Sequence, residues 1–94
     1  MKIPYHRKGT ALIVVVAGDI LSLLNQSHEP LSVSQIAKEL NRKPGIIALT
    51  LEFLFRHGWI TNQRGKWRYK QAAADKDVFF ITKSGKQQLT KKLK

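Results

Sequence analysis

Arg64, Lys66, Arg68 and Lys70 stand at alternate positions and are separated by Gly65, Trp67 and Tyr69. If this run is a strand, the charges share one face and the aromatics the other. A row of ammonium and guanidinium groups suits phosphates, and arginines in it could also enter a narrow A·T-rich minor groove, where the negative potential is enhanced. The competing reading is a solvated basic face over aromatics that belong to the core. A second basic pair, Arg42 and Lys43, directly precedes Pro44. A helix starting there would favour a phosphate through both its charge and its free N–H groups. Lys83, Lys86, Lys91, Lys92 and Lys94 read as a general basic surface, since a C-terminal lysine run also suits the helix dipole.

No comparable set points to catalysis. His6, His28 and His57 fall in an arm, a loop and a helix end, with no further ligand at metal-binding spacing. Asp75 and Asp77 are the only closely spaced carboxylates, and beside Lys76 they are expected to limit or orient contact with DNA rather than hold a metal. No phosphate-cradling glycine loop is present. The expectation is a protein that is not an enzyme and uses no cofactor and no metal. With no cysteine, neither a disulfide nor a thiolate metal site can form, and nothing argues for an oxidising compartment.

The bulk charge agrees with a polyanionic partner. Seventeen Lys and Arg oppose six Asp and Glu, a formal charge of +11. Residues 1 to 40 carry four basic and three acidic side chains, and residues 41 to 94 carry thirteen and three, so the excess lies in the second half. Ninety-four residues allow one domain with a modest core. The start of the chain has the outline of a signal peptide, but its apolar run from Ala11 to Ala17 is short for one, and the same shortness excludes a membrane span of roughly 20 residues. Helical spacing also continues past Asp19 through Ile20, Leu23 and Leu24. No membrane association is expected, and the cytoplasm, with the nucleoid, is the expected location.

The elements that must carry these groups follow from spacing. Residues 1 to 9 read as a flexible basic arm and residues 10 to 94 as the domain, with Thr10 a candidate cap. A helix over 11 to 25 places Leu12, Val16, Ile20, Leu23 and Leu24 on one face, while Ile13, Val14 and Val15 spill onto others. That surplus fits either packing against the last helix or a dimer interface. Ser32 and Gln35 form a capping box, with Leu31 and Ile36 at staple positions, for a second helix whose inward residues are Ile36, Ala37 and Leu40. Asn41, Arg42 and Lys43 make a turn, Pro44 opens a third helix, and Gly58 ends it. Strand patterns follow at Trp59–Ile60, 66–71 and 78–82, with Phe79 and Ile81 inward and Phe80 outward. A last helix spans 84 to 93, started by Thr82 or Ser84 and anchored by Leu89 and Leu93.

This order, with SQIAKEL at 34–40, the LxxxGWI pattern of Leu54 to Ile60 and FFITKSGKQQL at 79–89, resembles the winged helix-turn-helix domains of bacterial transcription regulators. The multiple-antibiotic-resistance and phenolic-acid-repressor types are the nearest in pattern, and the likeness covers residues 20 to 90. It implies an α+β fold with a three-helix core, a β-hairpin wing and a C-terminal helix. It also implies that residues 44 to 57 form a recognition helix with Ile47, Leu51 and Leu54 in the core and Gly45, Ile46, Ala48, Leu49, Glu52, Phe53 and Arg56 outward.

Base edges are read by paired donors and acceptors, and only Glu52 and Arg56 supply long polar groups in that set. Ile46, Leu49 and Phe53 instead fall within about 60° of one another. That stripe is open to three readings: cover by another part of the chain or a second subunit, a docking face for a protein partner, or contact with thymine methyls. The expected function is double-stranded DNA binding by a small transcriptional regulator or accessory factor, with Arg42, Lys43, Arg56, Arg64, Lys66, Arg68 and Lys70 as contacts and a homodimer as a possible state. The alternative is a protein-docking adaptor using Ile46, Leu49 and Phe53.

Overall fold

The computed structural model describes residues 3–65, 67 and 77–93, with side chains for 12–65, 67 and 77–90. The chain is α+β. Helix α1 (Ile3–Gln26) leads into a two-residue strand β1 (Leu31–Ser32), helices α2 (Val33–Leu40) and α3 (Pro44–Arg56), strands β2 (Ile60–Asn62) and β3 (Val78–Ile81), and helix α4 (Lys83–Leu93). The three strands form one antiparallel sheet in the order β1-β3-β2.

Local chemistry sets most of the boundaries. Gln35 N–H donates to Ser32 Oγ at 3.3 Å and Ser32 N–H to Gln35 Oε1 at 2.8 Å, so the capping box starts α2 as its sequence signals. Asn41 adopts φ 54°, its N–H donates to Lys38 O at 3.2 Å, and Arg42 N–H donates to Ala37 O at 3.0 Å. This is the left-handed stop that Asn tolerates better than most residues. Gly58, at φ 74°, repeats the device after α3, with Gly58 N–H on Phe55 O and Trp59 N–H on Leu54 O. Thr82 caps α4, because its Oγ1 accepts from Gly85 N–H at 3.1 Å.

The core joins Val16, Ala17, Ile20, Leu21 and Leu24 of α1 to Val33, Ile36 and Ala37 of α2. Ile47, Ala48, Leu51 and Leu54 of α3, with Ile60, Trp67 and Phe79, complete it. Phe79 is fully buried at the centre of the sheet and meets the Trp67 ring edge-on at 5.0 Å. Phe80 faces out, as the alternation requires.

Several expectations are corrected. Residues 3–9 are not an arm but the first turns of α1, and Thr10 lies inside that helix. Pro4 is compatible with this because a first helical turn needs no N–H from it, and Gly9 weakens a helix by only about 1 kcal/mol. Leu12 is exposed rather than in the core, whose α1 face is completed by Ala17 and Leu21. Ala48 is buried rather than outward, because its small side chain permits close approach of the helices that flank α3. The strand expected over 66–71 lies outside the described residues apart from Trp67.

Candidate nucleic-acid interface

The α2–turn–α3 unit brings cations together at one place. Lys38, in the last turn of α2, joins Arg42 and Lys43 of the turn around an open concavity of about 470 Å³ that Ser34, Asn41 and Pro44 also line. The left-handed Asn41 turns the chain sharply, which sets Lys43 at the N-cap of α3 in extended conformation. Lys43 makes no side-chain cap, and Pro44 has no N–H to cap. The N–H groups of Gly45 and Ile46 belong to the first turn, where no intrahelical acceptor exists. A Cβ at Gly45 would meet nothing within 4 Å, so the approach to this backbone is open. Positive charge, the positive end of a 13-residue helix and open access thus coincide. Lys38 was not legible as part of this group, although its spacing of four from Arg42 across a helix stop is the signal that could have found it.

Arg56 is exposed but lies in the last turn of α3, at the opposite end from the concavity. Arg64 is engaged internally. Its Nη2 donates to Asp77 Oδ2 at 2.7 Å, and its side chain is half exposed while that of Asp77 is buried. Asp77 also accepts from Gln63 Nε2 at 3.3 Å, and Gln63 Oε1 accepts from Val78 N–H at 3.2 Å. Asn62, buried, accepts from the N–H groups of Arg64 and Gly65 through its Oδ1 at 3.0 and 2.7 Å. The carboxylate of Asp77, expected to limit or orient contact with DNA, is buried and closes the base of the β2–β3 excursion by holding Arg64 and Gln63. Lys66, Arg68 and Lys70, with Tyr69, Asp75 and Lys76, lie outside the described residues.

The apolar stripe on α3 is divided. Ile46 and Phe53 are half-buried and pack against the core, whereas Leu49 is 44% exposed. Phe53 meets the His57 ring at 4.6 Å, and His57 in turn stacks on Trp59 at 4.3 Å. Beyond Phe53 an apolar groove of about 160 Å³ runs between Val14, Gly18 and Leu21 of α1 and Leu89 of α4. Two substitutions separate the parts of the stripe. Leu49→Ser should leave stability within about 0.5 kcal/mol of the parent, whereas Phe53→Ser should cost about 2 kcal/mol, as truncation of a half-buried ring does. Thermal denaturation of both variants reads the difference.

Of the α1 surplus, Ile13 is half-buried, while Val14 and Val15 are exposed. Among the described residues no group of three or more His, Cys, Asp or Glu is placed to hold a metal ion, and no helix is long and apolar enough to cross a membrane. No protein-family model, curated protein or solved structure matches this chain.

Proposed function

We propose that this chain is a winged helix-turn-helix protein that binds double-stranded DNA, as a small transcriptional regulator or accessory nucleoid-associated factor of the cytoplasm. The observation that carries the reading is the convergence of Lys38, Arg42 and Lys43 on the open N-terminus of α3, in a chain of net charge +11. Backbone phosphates are the ligands that such a cluster fits, with α3 as the recognition helix. The β2–β3 excursion is the wing, and Lys66, Arg68 and Lys70 supply further phosphate contacts from it. The base of the wing is held by Arg64 through Asp77, so Arg64 positions it before it contacts anything. The adaptor reading loses ground because Ile46 and Phe53 are partly covered, which leaves Leu49 as the one exposed member of that stripe.

The test is fluorescence anisotropy with a random 20-base-pair duplex over a salt series. Three or four phosphate contacts should lower affinity about 40- to 150-fold between 50 and 200 mM salt. A flat response would remove the proposal, since docking through apolar surface does not release counterions.

A further inference from the structure

The stop of α3 and the start of α4 meet at one corner of the molecule, where Thr82 Oγ1 donates to Gly58 O at 2.7 Å. The meeting gathers Arg56, from the last turn of α3, with Lys83 and Lys86, from the first turns of α4. All three side chains are exposed, and none makes an ion pair among the described residues. Glu52, one turn before Arg56, is not paired with it either. Arg56 suits the negative end of its own helix. The lysines do not suit theirs. α4 has no acidic residue in its first turn, and its cations stand where the positive end of a helix disfavours them. Neither lysine packs against the core. Folding therefore leaves their charge unexplained, and a polyanion held at this corner would account for it.

This corner lies at the far end of α3 from Lys38, Arg42 and Lys43. α3 is 13 residues long, so the two clusters stand about 20 Å apart. A major groove is about 12 Å wide, and a duplex whose groove is spanned at the first cluster leaves the second free. We propose that Arg56, Lys83 and Lys86 form a second phosphate-binding surface that takes a separate duplex, so that one copy of the chain bridges two segments of double-stranded DNA. This role rests on the first duplex being held at the α2–α3 turn, as proposed above. Phosphates carry no base identity, so the second duplex is taken without regard to sequence. Salt releases it steeply, because each contact displaces counterions. Bridging of this kind needs no second copy of the protein.

The test measures capture of a fluorescent duplex by an unrelated biotinylated duplex on beads, with single-duplex affinity read in parallel by anisotropy at about 0.1 M salt. The parent should capture the second duplex. Lys83→Gln with Lys86→Gln should reduce capture by about tenfold or more and leave single-duplex affinity within about threefold, since each lost phosphate contact removes close to one decade at its own site. This variant should melt no lower than the parent, because it removes cations from the positive end of a helix. Ser22→Glu with Gln26→Glu takes the same two units from the formal charge of +11, at exposed positions of α1 outside both clusters, and should capture like the parent. A parent that binds one duplex but captures no second would overturn the proposal. So would a lysine variant that captures like the parent, which would assign bridging to association between copies. A lysine variant whose single-duplex affinity falls in step with capture would place these lysines in the first site, and a control that loses capture equally would reduce the surface to general charge; either overturns it. A parent that binds no duplex at all removes the DNA reading itself, and this role with it.

Discussion

Gly85→Ala is expected to lower the melting temperature by about 10–20 °C, corresponding to roughly 3 kcal/mol at the upper end of the cost of overpacking. Alanine is ordinarily the better helix residue by about 1 kcal/mol, so the sign alone is informative. A Cβ at this position would lie 2.1 Å from the carbonyl oxygen of Trp59 and 2.7 Å from Ile81 Cγ1. The isoleucine can move. The carbonyl cannot easily do so, because it belongs to the backbone and accepts from Thr82 N–H at 3.0 Å. Relief therefore requires α4 to shift away from the Trp59 turn and from β3, and with it from α1, against which it also packs. Gly45→Ala is the matched control, because its Cβ would enter open space in a helix; it should raise stability by about 0.5–1 kcal/mol. Differential scanning calorimetry of the pair decides the matter, and a Gly85→Ala protein as stable as the parent would show that α4 does not approach the Trp59 carbonyl this closely.

Arg42→Glu combined with Lys43→Glu should weaken duplex binding about 100-fold at 0.1 M salt. Each lost phosphate contact removes close to one decade there, and the slope of log affinity against log salt should become shallower by about 2. The loss should be similar for unrelated duplex sequences, because phosphates carry no base identity. Both side chains project from the turn and neither makes an ion pair among the described residues, so the melting temperature should be unchanged. Reversal of Arg64 is a poorer probe. A glutamate there would stand beside the buried Asp77 carboxylate, and a loss of binding would mix phosphate contact with damage to the base of the excursion. If the double variant binds as tightly as the parent while remaining folded, the concavity at the α2–α3 turn is not the nucleic-acid interface.

Features written in short-range chemistry were legible from the chain. The Ser32–Gln35 box, the Gly58 stop and the placement of Ile47, Leu51 and Leu54 depend on residues within a turn or two of each other, and the structure has them as expected. The features that escaped depend on distant partners. β1 is only two residues long and exists because Phe79 and Val78 arrive beside Leu31 and Ser32, while Ser32 already had a sufficient role as a cap. Asp77 read as a loop carboxylate because its partners, Gln63 and Arg64, stand thirteen or more positions earlier. Leu12 and Ala48 were misplaced for a different reason. Helical spacing defines a stripe, but which edge of it is buried depends on the neighbours, and there a small residue can displace a large one from the core. The start of α1 was lost to Pro4 and Gly9, whose usual meaning as breakers does not hold in a first turn or against the length of a 24-residue helix.

Thr82 links three element ends through one side chain and one amide. Its hydroxyl donates to Gly58 O at 2.7 Å and accepts from Gly85 N–H, while its own N–H holds Trp59 O. The stop of α3, the end of β3 and the start of α4 consequently open together or not at all. A fluctuation that frees the first turn of α4 must also release the glycine turn behind α3, so amide hydrogen exchange at Gly85 and Lys86 should approach the rate set by global unfolding. The junction expected to open as one unit then lies at the C-terminal end of α3, so a displacement of β3 is expected to carry that end of the helix with it.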